Sequence, residues 1–392
     1  MCVLMGAATA LAASPPHVLV LPFARTGPST GKSSSIGWIG ESVSEAIREA
    51  LANSGLMVTS REERQEVCRR LSVRESALLT RATILKIGQT LDVDLVIFGG
   101  FQQEAEGGRL RIHARMLNIR QLLRGPEFSV TGALAELSNL QQLIAWEVLH
   151  ALTPETAPAS GQEFLGRRPV IKIEAMEQYV GGLLAETPDA KYRFLVQAAR
   201  LDERFAPARF ELGRLQFERN NYRDAIGWLE RIPSSDALHY QARFLAGLAY
   251  YHLSDYGNAE NSFELIEREL PLAEVFNNMG AACSRQGKQD EALRHFEKAC
   301  AADPREAAFQ FNRGYALWRL NRLPAAAVAF RQVLERSPED PEASLFLQIS
   351  EQPPPQAQSD PQFHARERLR SRLEESAYRQ LTAILQKAKK SK

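Results

Sequence analysis

The stretch that decides the fold is Gly280-Ala-Ala-Cys-Ser-Arg-Gln-Gly-Lys-Gln-Asp-Glu-Ala292-Leu-Arg-His-Phe296. It sets a small residue at its start, a second small residue twelve positions on, and a large apolar residue four positions after that. The same three points recur as Gly213, Ala225 and Leu229, as Gly247, Ala259 and Phe263, and as Gly314, Ala326 and Phe330. The glycines are 34, 33 and 34 residues apart, and Pro304 and Pro338 close the last two units. Small residues at these points let two helices approach closely, and the bulky one fills the gap between pairs, so the period predicts stacked helical hairpins. An earlier unit around Gly182, Ala198 and Leu201-Asp202 fits loosely, with a turn about three residues short.

This pattern resembles the tetratricopeptide repeat, and the resemblance implies an all-α solenoid over residues 171–350. Its units are expected at 175–205, 206–239, 240–272, 273–306 and 307–340, with a capping helix over 341–350. With each glycine counted as position eight, the family places positions two, five, six, nine, twelve and thirteen of the first helix on the concave groove. One repeat then contributes Phe210, Arg214 and Phe217, and the next Phe244, Leu248, Tyr251 and His252. Asn277, Asn278 and Arg285 follow, and then Phe311, Asn312, Tyr315, Trp318 and Arg319. Water-facing aromatics of this kind mark a partner site. Asn278 and Asn312 share position six and are placed to hydrogen-bond the backbone of an extended peptide. No lysine stands at position five, so the clamp that chaperone-binding members close on a C-terminal carboxylate is not matched. An apolar or aromatic peptide is the expected occupant. The competing expectation is that the C-terminal helix, 363–389, lies in the groove and buries the aromatics itself.

Upstream, residues 153–169 are rich in Pro, Ala and Gly, and a linker is expected over 156–170. Before it, over 14–155, apolar runs of strand length alternate with helical periodicity. His17–Phe23, 57–59 and Asp94–Gly100 read as strands, and 39–54, 62–71, 80–91 and 134–152 as helices. Residues 95–104 and 110–119 suit a hairpin across Glu106-Gly107-Gly108. The fold class is therefore an α/β amino-terminal domain, a mixed sheet with flanking helices, ahead of the solenoid. Gly27-Pro-Ser-Thr-Gly31-Lys32-Ser33 lies where a phosphate loop would stand but is one residue short, and no strand-end aspartate accompanies it, so it reads as solvated loop. The Leu21-Pro22-Phe23 strand end, Trp38-Ile39-Gly40-Glu41, the run Gly88–Gly100 and the strand Arg109–Asn118 together resemble the TolB-like amino-terminal domain. That module is related to curli-assembly and flagellar outer-membrane accessory proteins. The resemblance covers residues 17–152 and brings no active site, which suits a module that binds or assembles.

Composition narrows the function classes. Lys plus Arg is 48 and Asp plus Glu is 47, so no chain-wide charge draws the protein to nucleic acid. Residues 363–392 nevertheless hold nine Lys/Arg against three Glu. After the Pro-rich spacer 351–362, Leu369, Leu373, Ala377, Leu381 and Ile384 read as one face of a basic helix. That helix is expected to fold onto the solenoid, or else to meet an acidic partner or a lipid surface. Cys2, Cys68, Cys283 and Cys300 show no metal-binding spacing and read as structural thiols. The histidines 17, 113, 150, 239, 252, 295 and 364 are scattered without a catalytic motif. Residues 3–13 form a short apolar stretch ending in Ala10-Leu11-Ala12, and 1–13 reads as a signal peptide that lacks a basic start. The reading is a non-enzymatic protein-binding scaffold without cofactor, exported to the periplasm. The alternative is a cytoplasmic nucleotide-binding or signalling accessory.

Overall fold

A computed structural model describes residues 16–27, 36–74, 77–104, 109–354 and 367–390, with side chains as far as 385. The expected signal peptide, Lys32 and its loop, Glu106-Gly107-Gly108 and most of the Pro-rich spacer lie outside the described residues. The chain divides after Ile173 into two compact units. Among the described residues no helix is long and apolar enough to cross a membrane.

The first unit contains β1 (His17–Val20), β2 (Ala24–Arg25), α1 (Ile39–Asn53), β3 (Met57–Val58), α2 (Arg61–Arg70) and α3 (Arg81–Thr90). It continues with β4 (Leu95–Gln103), β5 (Arg109–Asn118), β6 (Arg124–Ala133), α4 (Leu137–Leu152) and α5 (Gly161–Gly166). Strand order is β3-β1-β4-β5-β6, with β2 also on β4; β1 pairs parallel to β3 and β4, and β4, β5 and β6 run antiparallel. Parallel neighbours require crossovers, and helices α1 to α3 provide them. Leu19 and Leu21 of the first strand run pack with Val67, Ile84 and Ile87 of α2 and α3. Helix α2 starts on a capping box in which Ser60 and Glu63 satisfy each other's backbone N–H groups. Gly40 opens α1 against Phe23, where a Cβ would stand 1.9 Å from the carbonyl oxygen, so no larger residue fits.

Two features differ from the sequence reading. Strand β6 was not expected; it carries Gly125-Pro126 but is an edge strand, where a missing proline N–H is tolerated. The expected linker is largely built into the first unit. Phe164 of α5 is buried, the Trp146 indole donates to the Pro158 carbonyl, and Ile171 N–H donates to Ser138.

The second unit is helical: α6 (Ile173–Leu184), α7 (Pro188–Leu201), α8 (Ala206–Glu218), α9 (Tyr222–Leu229), α10 (His239–His252) and α11 (Tyr256–Glu267). Then come α12 (Ala273–Arg285), α13 (Gln289–Ala302), α14 (Ala307–Arg319), α15 (Leu323–Leu334), α16 (Pro341–Glu351) and α17 (Glu375–Lys390). A Cβ on Gly213, Gly247, Gly280 or Gly314 would meet Leu229, Phe263, Phe296 or Phe330 respectively within 2.9 Å, which is why those positions are small. The three phenylalanines are fully buried. In the first pair Gly182 faces Leu195, thirteen residues on where the later repeats have sixteen, so the expected short turn is present but the bulky residue is Leu195 and not Leu201.

Each later hairpin turns on one residue of positive φ: Asn220 (61°), Ser254 (62°), Gly287 (79°) and Asn321 (57°). The next N–H reaches back five residues, from Asn221 to Gln216, Asp255 to Tyr250, Lys288 to Cys283 and Arg322 to Leu317, at 2.8–3.0 Å. That closure satisfies carbonyls left over at the helix end, and Asn and Gly accept the left-handed backbone most readily.

The C-terminal helix also differs from expectation. It begins at Glu375, so Leu369 and Leu373 precede it, and Ile384 is exposed while Leu385 packs inward.

Candidate peptide-binding groove

Position six of two successive repeats places Asn278 on α12 and Asn312 on α14, both completely buried. A buried primary amide must have its donors and acceptors met. Both are met by the non-helical segment 367–374 of the same chain. Arg368 N–H donates to Asn312 Oδ1 and the Asn312 amide donates to the Arg368 carbonyl, at 2.8 and 2.9 Å. Arg370 N–H donates to Asn278 Oδ1 and the Asn278 amide donates to the Arg370 carbonyl, both at 2.8 Å. Asn277 donates to the Arg368 carbonyl and accepts from Asn312, joining the two pairs into one ladder. Each asparagine thus offers the backbone of every second residue what a neighbouring β-strand would offer.

Side chains of the segment are held individually. The Glu367 carboxylate, 2% exposed, accepts from Ser284 Oγ at 2.6 Å and Tyr251 OH at 3.0 Å and pairs with Arg285 Nε at 2.7 Å. Burial and the neighbouring Glu367 charge push the Tyr251 hydroxyl well above its usual range. Arg368 grips both Asp340 oxygens at 2.6 and 2.9 Å, reaches Glu342 at 3.1 Å, and stacks 3.6 Å from the centre of the Phe311 ring. Hydrogen bonding from Arg368 lowers the Asp340 carboxyl, against an opposing effect of burial. Arg370 pairs with Glu306 at 2.9 Å. Leu369 packs against two core clusters of the solenoid at once. Beyond it, Leu373, Ala377, Tyr378, Leu381 and Leu385 pack on Phe244, Leu248 and their neighbours, and Tyr378 is 2% exposed. The apolar face of α17 is therefore committed to the solenoid.

The other residues expected in the groove divide into three groups. Phe210 is half-buried in the core beneath α8 and α9, and Arg214 pairs with Glu211 and Glu218. Phe217 and His252 meet Tyr222 in an aromatic cluster. Tyr315 and Trp318 are not water-facing: both are buried, and Phe346 of the capping helix α16 packs edge-on against each, at 5.4 and 5.2 Å. Arg319 lies against the Tyr315 hydroxyl. The expectation of an exposed aromatic surface fails there because a helix outside the repeat pattern covers it. An apolar occupant was expected as well, whereas the observed segment carries three charges in four residues, each paired.

Ser284, Glu306, Asp340 and Glu342 were missed by the sequence reading. Glu306 and Asp340 cap α14 and α16, so their local context explains them without a ligand. The available signal was complementarity, since three acids at repeat ends match a tail rich in arginine.

Two other clusters have different roles. Glu260, Cys283 and Glu291 lie close enough to hold a metal. However, Glu260 already accepts from Gln286 and Lys288, and burial together with Glu260 pushes the Cys283 thiol up to about 12. In the first unit Arg64, buried in α2, donates to Glu41 at 2.6 Å and to Ser44 and the Val20 carbonyl, and Arg61 joins Glu41 at 2.8 Å. Burial raises the Glu41 carboxyl, and the two arginines more than offset it, leaving it below the usual range. This arrangement fastens α1 and α2 to β1.

A family model described as tetratricopeptide repeat matches residues 210–274 and 283–345. Among solved structures, MamA from residue 41 onward, of Desulfovibrio magneticus RS-1, is 19% identical; the match covers 43% of this chain and 99% of that one, with a TM-score of 0.41. YrrB, described as a TPR protein with an unusual peptide-binding site, is 17% identical over 45% of this chain and 92% of its own, with a TM-score of 0.40. A thermophilic TPR protein of Thermus thermophilus is 16% identical over 42% of this chain and 91% of its own, with a TM-score of 0.34. The chain carries tetratricopeptide repeats, built as a helical solenoid that follows a small mixed-sheet unit in the sequence.

Proposed function

We propose that this protein is a non-enzymatic interaction scaffold that holds a partner by an extended segment laid along the Asn277–Asn278–Asn312 ladder. The observation that carries the reading is the paired amide–backbone bonding at Arg368 and Arg370, a recognition device whose donors and acceptors suit any extended backbone. The repeats supply the concave surface for it. Export to the bacterial envelope is part of the proposal, supported by the apolar stretch 3–13 with its Ala10-Leu11-Ala12 end and by the resemblance of residues 17–152 to the TolB-like domain.

Two experiments test the two parts. Proteins recovered from native cells with the wild-type chain should be lost with the Asn278→Ala/Asn312→Ala variant while the solenoid stays folded by circular dichroism. An unchanged set would overturn the groove as the site. Sequencing the mature N-terminus should begin near Ala13 or Ser14, and a retained Met1 or Cys2 on cytosolic protein would overturn export.

A further inference from the structure

We infer that the groove reads sequence as well as backbone, that its ligand class is an internal extended segment of the order acid–Arg–Leu–Arg, and that residues 367–370 are a built-in competitor for it. The inference rests on the peptide-binding reading above and goes beyond it in naming the side chains the partner must present.

Four consecutive residues, Glu367-Arg368-Leu369-Arg370, each meet a different receptor. The acid enters a site made by Ser284, Arg285 and Tyr251 and is almost wholly removed from water. A carboxylate at that depth is tolerated only with a cation and hydrogen bonds in place, and Arg285, Ser284 and Tyr251 supply them, whereas a basic residue there would meet Arg285 as a like charge. The next position is read in three ways: a planar fork on Asp340, a further contact on Glu342, and an aromatic face on Phe311. Planar bidentate pairing with stacking selects arginine over lysine. Leucine enters the seam between two core clusters, and the last arginine meets Glu306. The chain continues on both sides of these four residues, so the site takes an internal segment and needs no free carboxylate. The order of charges matters: exchanging the first two residues would set an arginine against Arg285 and a glutamate against Asp340, two like-charge encounters.

Because the segment is tethered to its own groove, it competes at an effective concentration that no free partner shares. A partner carrying the same order of residues must displace it.

The test uses the full chain and a labelled synthetic peptide of residues 363–374, followed by fluorescence anisotropy. The receptor is compared as wild type and as the Glu367→Lys/Arg368→Glu variant, in which the tethered segment is mismatched and the repeats are untouched. The mismatched chain should bind the peptide at least about tenfold more tightly than wild type, because the cis competitor is gone. A peptide of identical composition with its first two key residues in the order Arg-Glu should bind at least about tenfold more weakly than the native order. Asp340→Asn, placed in the mismatched chain, retains the helix cap and should weaken the native peptide alone. Equal binding of the two peptides would overturn sequence reading while leaving the groove a backbone-binding site. Equal binding by wild-type and mismatched chains would overturn the built-in competitor. Binding of neither peptide by a mismatched chain that melts as wild type would overturn the peptide-binding reading itself.

Discussion

Two buried arginine–glutamate pairs in this molecule have nearly the same chemistry and opposite consequences. In the first unit Arg64 and Glu41 are 2% and 5% exposed, and both belong to helices locked against the sheet. In the second, Glu367 is 2% exposed but its partner Arg285 is 31% exposed, and Glu367 stands on a segment outside the repeats. If Glu41 is lost, the Arg64 charge is held in the interior on a helix that cannot leave. If the second pair is broken, the segment can leave for water and the arginine is hydrated where it stands. The contrast separates a structural ion pair from one built like a ligand contact: the difference lies in what the partner residues are attached to, not in how well they are bonded.

Breaking the first pair gives the largest expected effect. Glu41→Ala should destabilise the first unit by about 3–5 kcal/mol, because it removes the carboxylate that compensates both Arg61 and the almost wholly buried Arg64. The loss should appear in denaturant unfolding of that unit while the solenoid transition stays in place. Trp318→Ala should cost a similar ~3–5 kcal/mol in the terminal repeats, because the indole is core and not groove surface. A shift below about 1 kcal/mol in either unfolding curve would mean that the side chain is not packed as described.

Acidification sharpens the comparison at a smaller scale. Burial raises Glu211, but Arg214 and Lys191 outweigh it and hold the carboxyl down to about 2, from an ordinary value of 4.5. A depressed carboxylate stabilises the fold fully above its unfolded value and loses that contribution as pH falls through the folded one. Wild type should therefore lose stability between pH 4.5 and about 2 more steeply than Glu211→Gln. Parallel curves would remove Glu211 from the account. The smallest effect belongs to the hairpin turns. Ser254 takes a left-handed conformation that Asn and Gly occupy in the other three, and Ser254→Gly should raise stability by up to about 1 kcal/mol.

The repeats were legible in the sequence because their signal is local and redundant. Gly280 and Phe296 sit within one hairpin, and three further hairpins repeat the relation. The parallel core strands were legible for the same reason, as short apolar runs, whereas β6 was hidden by Gly125-Pro126 and by its mostly exposed residues. The ladder residues Asn278 and Asn312 could be placed on the groove from the repeat register alone. Their occupant was left between an apolar peptide and the C-terminal helix, because the bonds from Asn312 go to backbone that any segment offers and the charge partners Glu306 and Asp340 look like ordinary helix caps. Trp318 was misplaced for a related reason. The repeat register turns its position toward the groove, but α16 lies outside the repeat and covers it.

The central claim is that segment 367–370 occupies the groove through the asparagine ladder, and amide hydrogen exchange on the full chain tests it most directly. The N–H groups of Arg368 and Arg370 are donated to buried asparagine oxygens, so they should exchange slowly in the wild type. In Asn278→Ala/Asn312→Ala they should exchange like unstructured peptide while α12 and α14 keep their protection. Fast exchange at 368 and 370 in the wild type, or protection unchanged by the double substitution, would contradict the account.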